Sequence, residues 1–582
     1  MSTRGRPNKR RPAAGMTNGE VLVVLVSLVG LCWLALAAWL SAELAGTGHG
    51  NPISWLADSD GTGRWNTAAT GWALLFGAGT IVGVTPVAWL AARSLRRRQW
   101  TDSLAPSMSS GRDLQEMTEN AVAADTARLG SSRAGIGLRL GRAVLNGVRL
   151  FGTFEWSQLW ILGTRAGKTR CVAIPQLVEH HGPAVTTSNK RDVHDLTRGP
   201  RSELGRCWVN DPQQIAQQPA DWWWNPLTFI TTTERSAKLV DIWAAARSSA
   251  DMAGADPYFE PEGRRLLQRL MMAAALAGEY VTRLPDWLTG YRPGPGVPDP
   301  VAILREHGYH AQATGIESTL ELAPDQKDGL YGTARSFVGF LDAPEFVVWM
   351  APTGPDDTRP EFSPTALVRS TGDTLYLLSK DGPGSARALT AALTAAVYEE
   401  GEEHAEKCGG RVPIPILFML DEAANICRWP ELPNLYSHAG SKGLILVTIL
   451  QSEPQGEQAW GKADFRKMWS AANVLAVGRG INDESTLTAL AKLVGDRQIA
   501  DHSRSVGGRG HRSTSHSNRD ERIFTEADLR ALPRGRTILM TSGARAILLE
   551  TIDYSQHPWA YKAEASKTHF GPQTGQEVTA DA

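Results

Sequence analysis

The chain has 582 residues, 60 basic and 61 acidic, for a formal net charge of -1. That balance excludes a globally basic nucleic-acid binder while leaving room for local basic patches. The five cysteines form no C-x-x-C pair and the thirteen histidines show no metal spacing, which argues against a zinc ribbon or a disulfide framework and fits a reducing compartment.

Two uncharged apolar runs come first, "VLVVLVSLVGLCWLALAAWLSA" at 21–42 and a second at 65–92. Each exceeds the roughly 20 residues that cross a bilayer core as a helix. A secretory signal peptide is the weaker reading, because the first run is longer than an h-region and a second span follows it. Arg4, Arg6, Lys9, Arg10 and Arg11 precede the first run, and Arg93, Arg96, Arg97 and Arg98 follow the second. The loop between them carries Glu43, Asp58 and Asp60 against Arg64. The positive-inside rule then places both ends in the cytoplasm. The expectation is a cytoplasmic tail (1–19), a two-helix transmembrane anchor (20–92) in the cell (inner) membrane, and a large cytoplasmic body.

Residues 93–140 read as a polar linker with one short helix. Beyond it, short apolar runs at 157–164, 182–190, 414–423, 443–452 and 473–480 alternate with helical stretches. Strands apolar throughout, rather than alternating, predict a parallel sheet covered on both faces. The stretch 536–554 splits at Ser542-Gly543 and predicts an antiparallel hairpin. The predicted fold is therefore α/β, with a nucleotide-binding domain at 141–231 and 362–560. A mostly helical domain is inserted at 232–361, where the strand signal disappears. The polar, basic segment 503–522 reads as a mobile surface loop, and 561–582 as a flexible tail.

The chemistry concentrates in "ILGTRAGKTR". Gly163, Thr164, Arg165, Ala166, Gly167, Lys168 and Thr169 form a strand–turn–helix phosphate loop in which backbone N–H groups, the helix dipole and the lysine meet phosphates, and the threonine hydroxyl meets Mg²⁺. Leu162 stands where the motif's first glycine is expected, so the loop is unusual; Gly163 and Gly167 keep backbone freedom. "ILFMLDEAAN" drives a buried strand into Asp421 and Glu422, one carboxylate for the metal shell and the next for the attacking water. Gln451 ends the strand "LILVTILQ", where it can orient water or sense hydrolysis. All three pieces fall at carboxyl ends of predicted parallel strands, where such sheets bind ligands. ATP and Mg²⁺ are the expected cofactors. Pro175 should kink or end the helix after the loop. The run Trp222-Trp223-Trp224 reads as packing at a domain edge rather than base stacking.

Read in order, the two spans, "LGTRAGKTRCVAIPQLVEHHGPAVTTSNKRDV", "CWVNDP", "WWWNPL", "LDEAANICRWPELPNL", "VTILQSEPQGEQAWG" and "RIFTEADLRALPRGRTILMTSGARAILLETIDY" resemble the type IV coupling proteins, the TraD/TraG-like ATPases of conjugation and type IV secretion. The resemblance implies a RecA-like motor domain with a helical insertion and a TraM-recognition-type C-terminal region. It further implies a homo-hexameric ring that couples ATP hydrolysis to movement of DNA, single-stranded in transfer, and that works with relaxosome and secretion-channel proteins. Some members carry a trans-acting arginine before the glutamine strand; here that turn reads "HAGSKG", with Lys442 and His438, and Arg479 in "AVGRG" is the other candidate. Lys190, Arg191, Arg264, Arg265 and Arg269 are candidate phosphate contacts, against the plainer reading of solvated charge. The competing functions are an ATP-binding scaffold that recruits substrates without pumping DNA, and an FtsK-type translocase.

Overall fold

The computed structural model describes residues 33, 36–46, 67–68, 70–74, 99–247, 256–290, 297–382, 384–506 and 512–572. It divides into two units, Met1–Trp100 and Thr101–Ala582. Among the described residues no helix is long and apolar enough to cross a membrane. The apolar runs at 21–42 and 65–92, read as the two-helix anchor, lie largely outside the described residues.

The second unit contains thirteen strands among its described residues. In chain order they are β1 (Leu138–Ala143), β2 (Arg149–Gly152), β3 (Gln158–Ile161), β4 (Ala184–Ser188), β5 (Cys207–Asn210), β6 (Thr374–Leu378), β7 (Ile416–Asp421), β8 (Leu444–Leu450), β9 (Val474–Gly478), β10 (Asp496–Val506), β11 (Arg512–Arg522), β12 (Arg536–Thr541) and β13 (Ile547–Glu550). Eleven of them form one sheet in the order β2-β1-β13-β12-β9-β3-β8-β7-β4-β6-β5. From β9 to β5 all neighbours run parallel, and the β12–β13 hairpin adds antiparallel strands on the other side. Every residue of β3, β4, β6, β7, β8 and β9 is buried, as continuous apolar runs require when both faces are covered. A mixed α/β fold around a large parallel sheet is thus what the apolar runs specify, and the seven parallel strands send their carboxyl ends to one edge.

Between β5 and β6 the chain is helical: Thr233–Ala245, Phe259–Leu276, Arg283–Gly290, Pro300–Glu306, His310–Leu320 and Pro324–Val338. Thr232 and Asp299 start two of these helices by accepting the N–H of Arg235 and Val301. Trp222 and Trp224 are buried; Trp222 donates to Val209 O at 3.1 Å and meets Trp208 and Trp349 edge-on. These two rings are interior packing, closed to base stacking.

Three segments differ from the sequence reading. The stretch read as a polar linker does carry the one short helix expected of it, Glu119–Arg128, N-capped by Thr118, but the helix is packed onto the body: a methyl at Gly137 would strike Val122 and the Gly152 carbonyl. The segment read as a mobile loop pairs instead as a two-stranded ribbon, β10 with β11. A ladder needs only backbone groups, so its polar sequence shows no strand alternation. The expected loose tail begins with the helix Ala560–Phe570, whose Ser566 hydroxyl donates to Asp195 O at 2.6 Å and accepts from Gly199 N at 2.8 Å.

The segment leading into that helix also grips the interior. Glu179 closes the helix Ile174–Glu179 and accepts from Arg139 Nε at 2.8 Å and Trp559 Nε1 at 2.9 Å, with His557 Nδ1 at 3.1 Å. Burial alone would push this carboxyl up; the bonds from His557, Arg139 and Trp559 outweigh it and hold it at about 2 against an ordinary 4.5. A depressed folded value stabilises the fold above the unfolded value and loses that stability as pH falls through the folded one. Unfolding by denaturant should therefore show stability falling between about pH 4.5 and 2, by on the order of 3 kcal/mol in all. Glu179→Gln should flatten that part of the profile, and a variant profile with an unchanged slope would refute the assignment.

Candidate nucleotide site

β3 ends at Ile161 and the chain turns at once toward the helix that follows. Leu162 N–H donates to Leu450 O at 3.0 Å and Gly163 N–H to Arg479 O at 2.9 Å, so the turn is held between the ends of β8 and β9. A Cβ at Gly163 would lie 2.5 Å from Gly480 O: the close backbone approach that demands glycine falls at Gly163. Leu162 is 2% exposed, and its side chain fills the space over Gly478, where a Cβ would meet Leu162 Cδ2 at 2.3 Å. The leucine is thus a core residue one step before the glycine turn. Arg165 and Gly167 take left-handed conformations, φ 59° and 93°, and reverse the loop before Lys168.

The helix opens as a wide π turn, Thr169–Ala173, and continues as Ile174–Glu179. Pro175 has no N–H to close an α turn onto residue 171, and the wider turn absorbs that loss without a break.

Around the loop, the structure brings together the residues that the sequence singled out. The Lys168 ammonium pairs with Glu422. Thr169 Oγ1 donates to Asp421 Oδ2 at 2.9 Å, and Thr187 Oγ1 holds the Asp421 carbonyl at 2.8 Å. Gln451 Nε2 donates to both Glu422 oxygens, at 2.8 and 2.9 Å. Glu422 sits at φ 57°, ψ 32°, a left-handed position that a non-glycine residue adopts at a cost of order 1–3 kcal/mol. Two residues that the sequence reading passed over complete the network. Asn425 Nδ2 donates to Glu422 Oε2 at 3.3 Å, while Gln455 accepts from Gln451 N at 2.9 Å and donates to Asn425 Oδ1 at 2.7 Å. Their i+3 and i+4 spacing from Glu422 and Gln451 was the available signal.

Asp421 is 2% exposed, and burial first, then Glu422, pushes its carboxyl up to about 7 against the pull of Lys168 and Thr169. Its Oδ1 is buried without a hydrogen-bond partner. A hydroxyl and a carboxylate with one oxygen unsatisfied are hard oxygen donors that suit Mg²⁺ shared with substrate phosphates, and the adjacent lysine offers positive charge to those phosphates.

The candidate cations fall into different places. Lys442 pairs with Glu402 at 2.9 Å, and His438 lies 3.5 Å from the same carboxylate, so the "HAGSKG" turn is tied to its own chain. Arg479 is exposed, and its carbonyl already flanks the phosphate loop. Of the candidate phosphate contacts, Arg264 is paired with Asp241 and Glu260, Arg265 with Glu262, and Arg191 with Asp195; Arg269 donates to Gly315 O. These are internal contacts of the body. Lys190 alone of the five is exposed without such a partner among the described residues.

Two family models match: "Type IV secretory system Conjugative DNA transfer" over residues 119–285 and "TraM recognition site of TraD and TraG" over 415–534. The conjugal transfer protein TraG of Agrobacterium fabrum (strain C58) is 22% identical over 397 residues, 66% of this chain and 57% of that protein. TraG of Rhizobium radiobacter is 22% identical over 399 residues, 66% of this chain and 59% of its own length. The chain therefore spans less than two thirds of the curated relatives it matches. Among solved structures, the unbound bacterial conjugative coupling protein TrwBdeltaN70 superposes with a TM-score of 0.51 at 17% identity, covering 74% of this chain and 92% of that one, a likeness of fold.

Leu162→Ala should destabilise the protein by about 2–5 kcal/mol, the range for truncating a buried leucine. Calorimetric melting measures it, and an unchanged melting temperature would show that Leu162 is loop rather than core.

Proposed function

We propose that this chain, which belongs to the type IV coupling proteins, is a membrane-anchored, Mg²⁺-dependent ATPase that couples hydrolysis to the transfer of DNA in a conjugation or type IV secretion system. The convergence of Lys168, Thr169, Asp421, Glu422 and Gln451 at the carboxyl edge of one parallel sheet carries the reading. Loop residues 163–169 cradle the phosphates, with Lys168 leaving Glu422 for the β- and γ-oxygens. Thr169 and Asp421 hold Mg²⁺, which, when bound, neutralises charge developing on the phosphates. Glu422, relieved of its lysine, accepts the proton of the attacking water. Gln451, held by Gln455, orients that water and reports its loss to the helix behind it. Arg479 stands beside the loop on its own chain and stabilises the transferring phosphoryl group.

The two apolar runs at 21–42 and 65–92 support a multi-pass anchor in the cytoplasmic membrane with the body in the cytoplasm. Family membership supports a homo-hexameric ring working with relaxosome and channel proteins on a single-stranded transfer intermediate. The chain's departure from the sheet after β5 and its return at β6 support a division into a motor at 141–231 with 362–560 and an insert at 232–361.

ATP hydrolysis by the whole chain, with and without single- and double-stranded DNA, tests the reading. Glu422→Gln should bind ATP within a few-fold of the unaltered protein and lose about 10²–10⁴ in kcat, the range for a general base. Lys168→Ala should lose binding and turnover together. Full hydrolysis by Glu422→Gln would remove the assigned role, and nucleotide binding without turnover in the unaltered, ring-forming protein would favour the scaffold reading.

A further inference from the structure

We propose that Lys190, Lys380, Arg387 and Arg428 form the surface through which this motor holds the phosphodiester backbone of DNA. The inference rests on the DNA-transfer reading above and names the residues that reading lacks.

The sheet places them. β4 and β6 are parallel neighbours with Ser188 opposite Leu378, and Ser379 N–H donates to Ser188 O at 3.2 Å. The chain therefore leaves both strands side by side, and each exposed lysine stands two residues beyond this last pair. On the other side of β4 lies β7, which ends at Asp421. The loop after β6 is stiffened by Gln213, which accepts from Lys380 N at 2.7 Å and donates to Gly384 O at 2.8 Å. Arg387 begins the next helix, 6% exposed, and donates to Ser385 Oγ at 2.6 Å and Gly382 O at 2.9 Å. Arg428 follows the short helix that Glu422 opens and donates to Ala424 O at 3.0 Å.

What distinguishes these four is charge left unmatched. Arg139, Arg359 and Arg235 inside the body face carboxylates, Glu179, Asp357 and three glutamates, whereas the buried Arg201 is enclosed by the carbonyls of His180, Gly182 and Gly372 and by Thr374. Asp381 acts on Arg387 and Arg428, and Lys190 acts on Asp192, yet none of the four ion-pairs with a carboxylate among the described residues. Burial and the proximity of Arg387 both lower the pKa of Arg428. Arg387 and Arg428 share the influence of a single carboxylate, Asp381, and ion-pair with none; an external anion supplies the second counter-charge. Phosphate is the matching anion, because guanidinium forks bind it bidentately and lysines supply point charge.

Distance separates this surface from the phosphates held at the loop after β3. β4 lies three strands from β3 and β6 four, about 14 and 19 Å at the usual spacing of adjacent strands. A polymer with regularly repeated phosphates spans Lys190, Lys380 and the arginine pair together.

The test uses the full-length chain and the paired variant Lys190→Gln/Lys380→Gln, whose exposed side chains leave the core untouched, with Arg428→Gln as a second variant. Binding to a fluorescent oligonucleotide is measured against salt, alongside hydrolysis with and without DNA. The expected result is about tenfold weaker binding for the lysine pair and a salt slope shallower by roughly 1.4, at about 0.7 for each single-strand phosphate that is no longer neutralised. Hydrolysis without DNA should be unchanged, while half-maximal stimulation should need about tenfold more DNA. Unaltered affinity and slope in both variants would overturn the proposal. So would a drop in DNA-independent hydrolysis at constant DNA affinity, which would assign the surface to a neighbouring subunit's nucleotide. If the unaltered chain binds no DNA, the transfer reading itself falls and takes the inference with it; normal binding by that chain with unmoved variants removes the inference alone.

Discussion

The backbone ladder that seats β3 between β8 and β9 is the constraint on which the site depends. Trp160 pairs with Ile449 on one side and Ala476 on the other, residues 289 and 316 positions further along the chain. That closure sets the phosphate loop beside Gln451 and Arg479 and two strands from Asp421. The glycines serve the same closure: Gly163 and Gly480 touch backbone to backbone, and Leu162 fills the space that Gly478 leaves open. A glycine at position 162 would add freedom where the chain is already extended and remove packing where the sheet needs it.

The helix behind the loop is clasped at both ends by the segment 553–559. Arg170 makes a two-bond fork to Asp553 at 2.7 and 2.8 Å and lies 4.5 Å from the centre of the Tyr554 ring. Glu179, at the other end, holds His557 and Trp559. Both contacts are partly buried and charge-assisted, so they position more than a surface pair would. Loop, helix and C-terminal segment are therefore one mechanical piece. The helix Ala560–Phe570 extends it to the β4 side through Ser566 and through Arg191, which donates to Phe570 O at 2.8 Å.

Charge is managed differently at the two ends of the carboxyl edge. Near β3, β7 and β8, buried carboxylates are shared among Lys168, Thr169 and Gln451, with a single oxygen of Asp421 unsatisfied. Near β4 and β6, cations exceed carboxylates. On the two proposals above, such an edge meets two anionic ligands of different kinds, one through a metal and one directly.

Much of this was legible before folding. Continuous apolar runs declare a parallel sheet because no strand face is left for water, and "LWILGTRAGKT" and "ILFMLDEAAN" announce their chemistry because strand, turn and acid are local in sequence. The docking of the helix Glu119–Arg128 and the β10–β11 ribbon were hidden, because they rest on tertiary contact and backbone pairing rather than on apolar periodicity. The network of Asn425 and Gln455 was hidden for a related reason: an amide's role depends on which distant carboxylate it meets. The meaning of Leu162 and the sorting of arginines into paired and unpaired likewise belong to tertiary structure, since sequence states how many charges there are and only folding decides which of them find a partner.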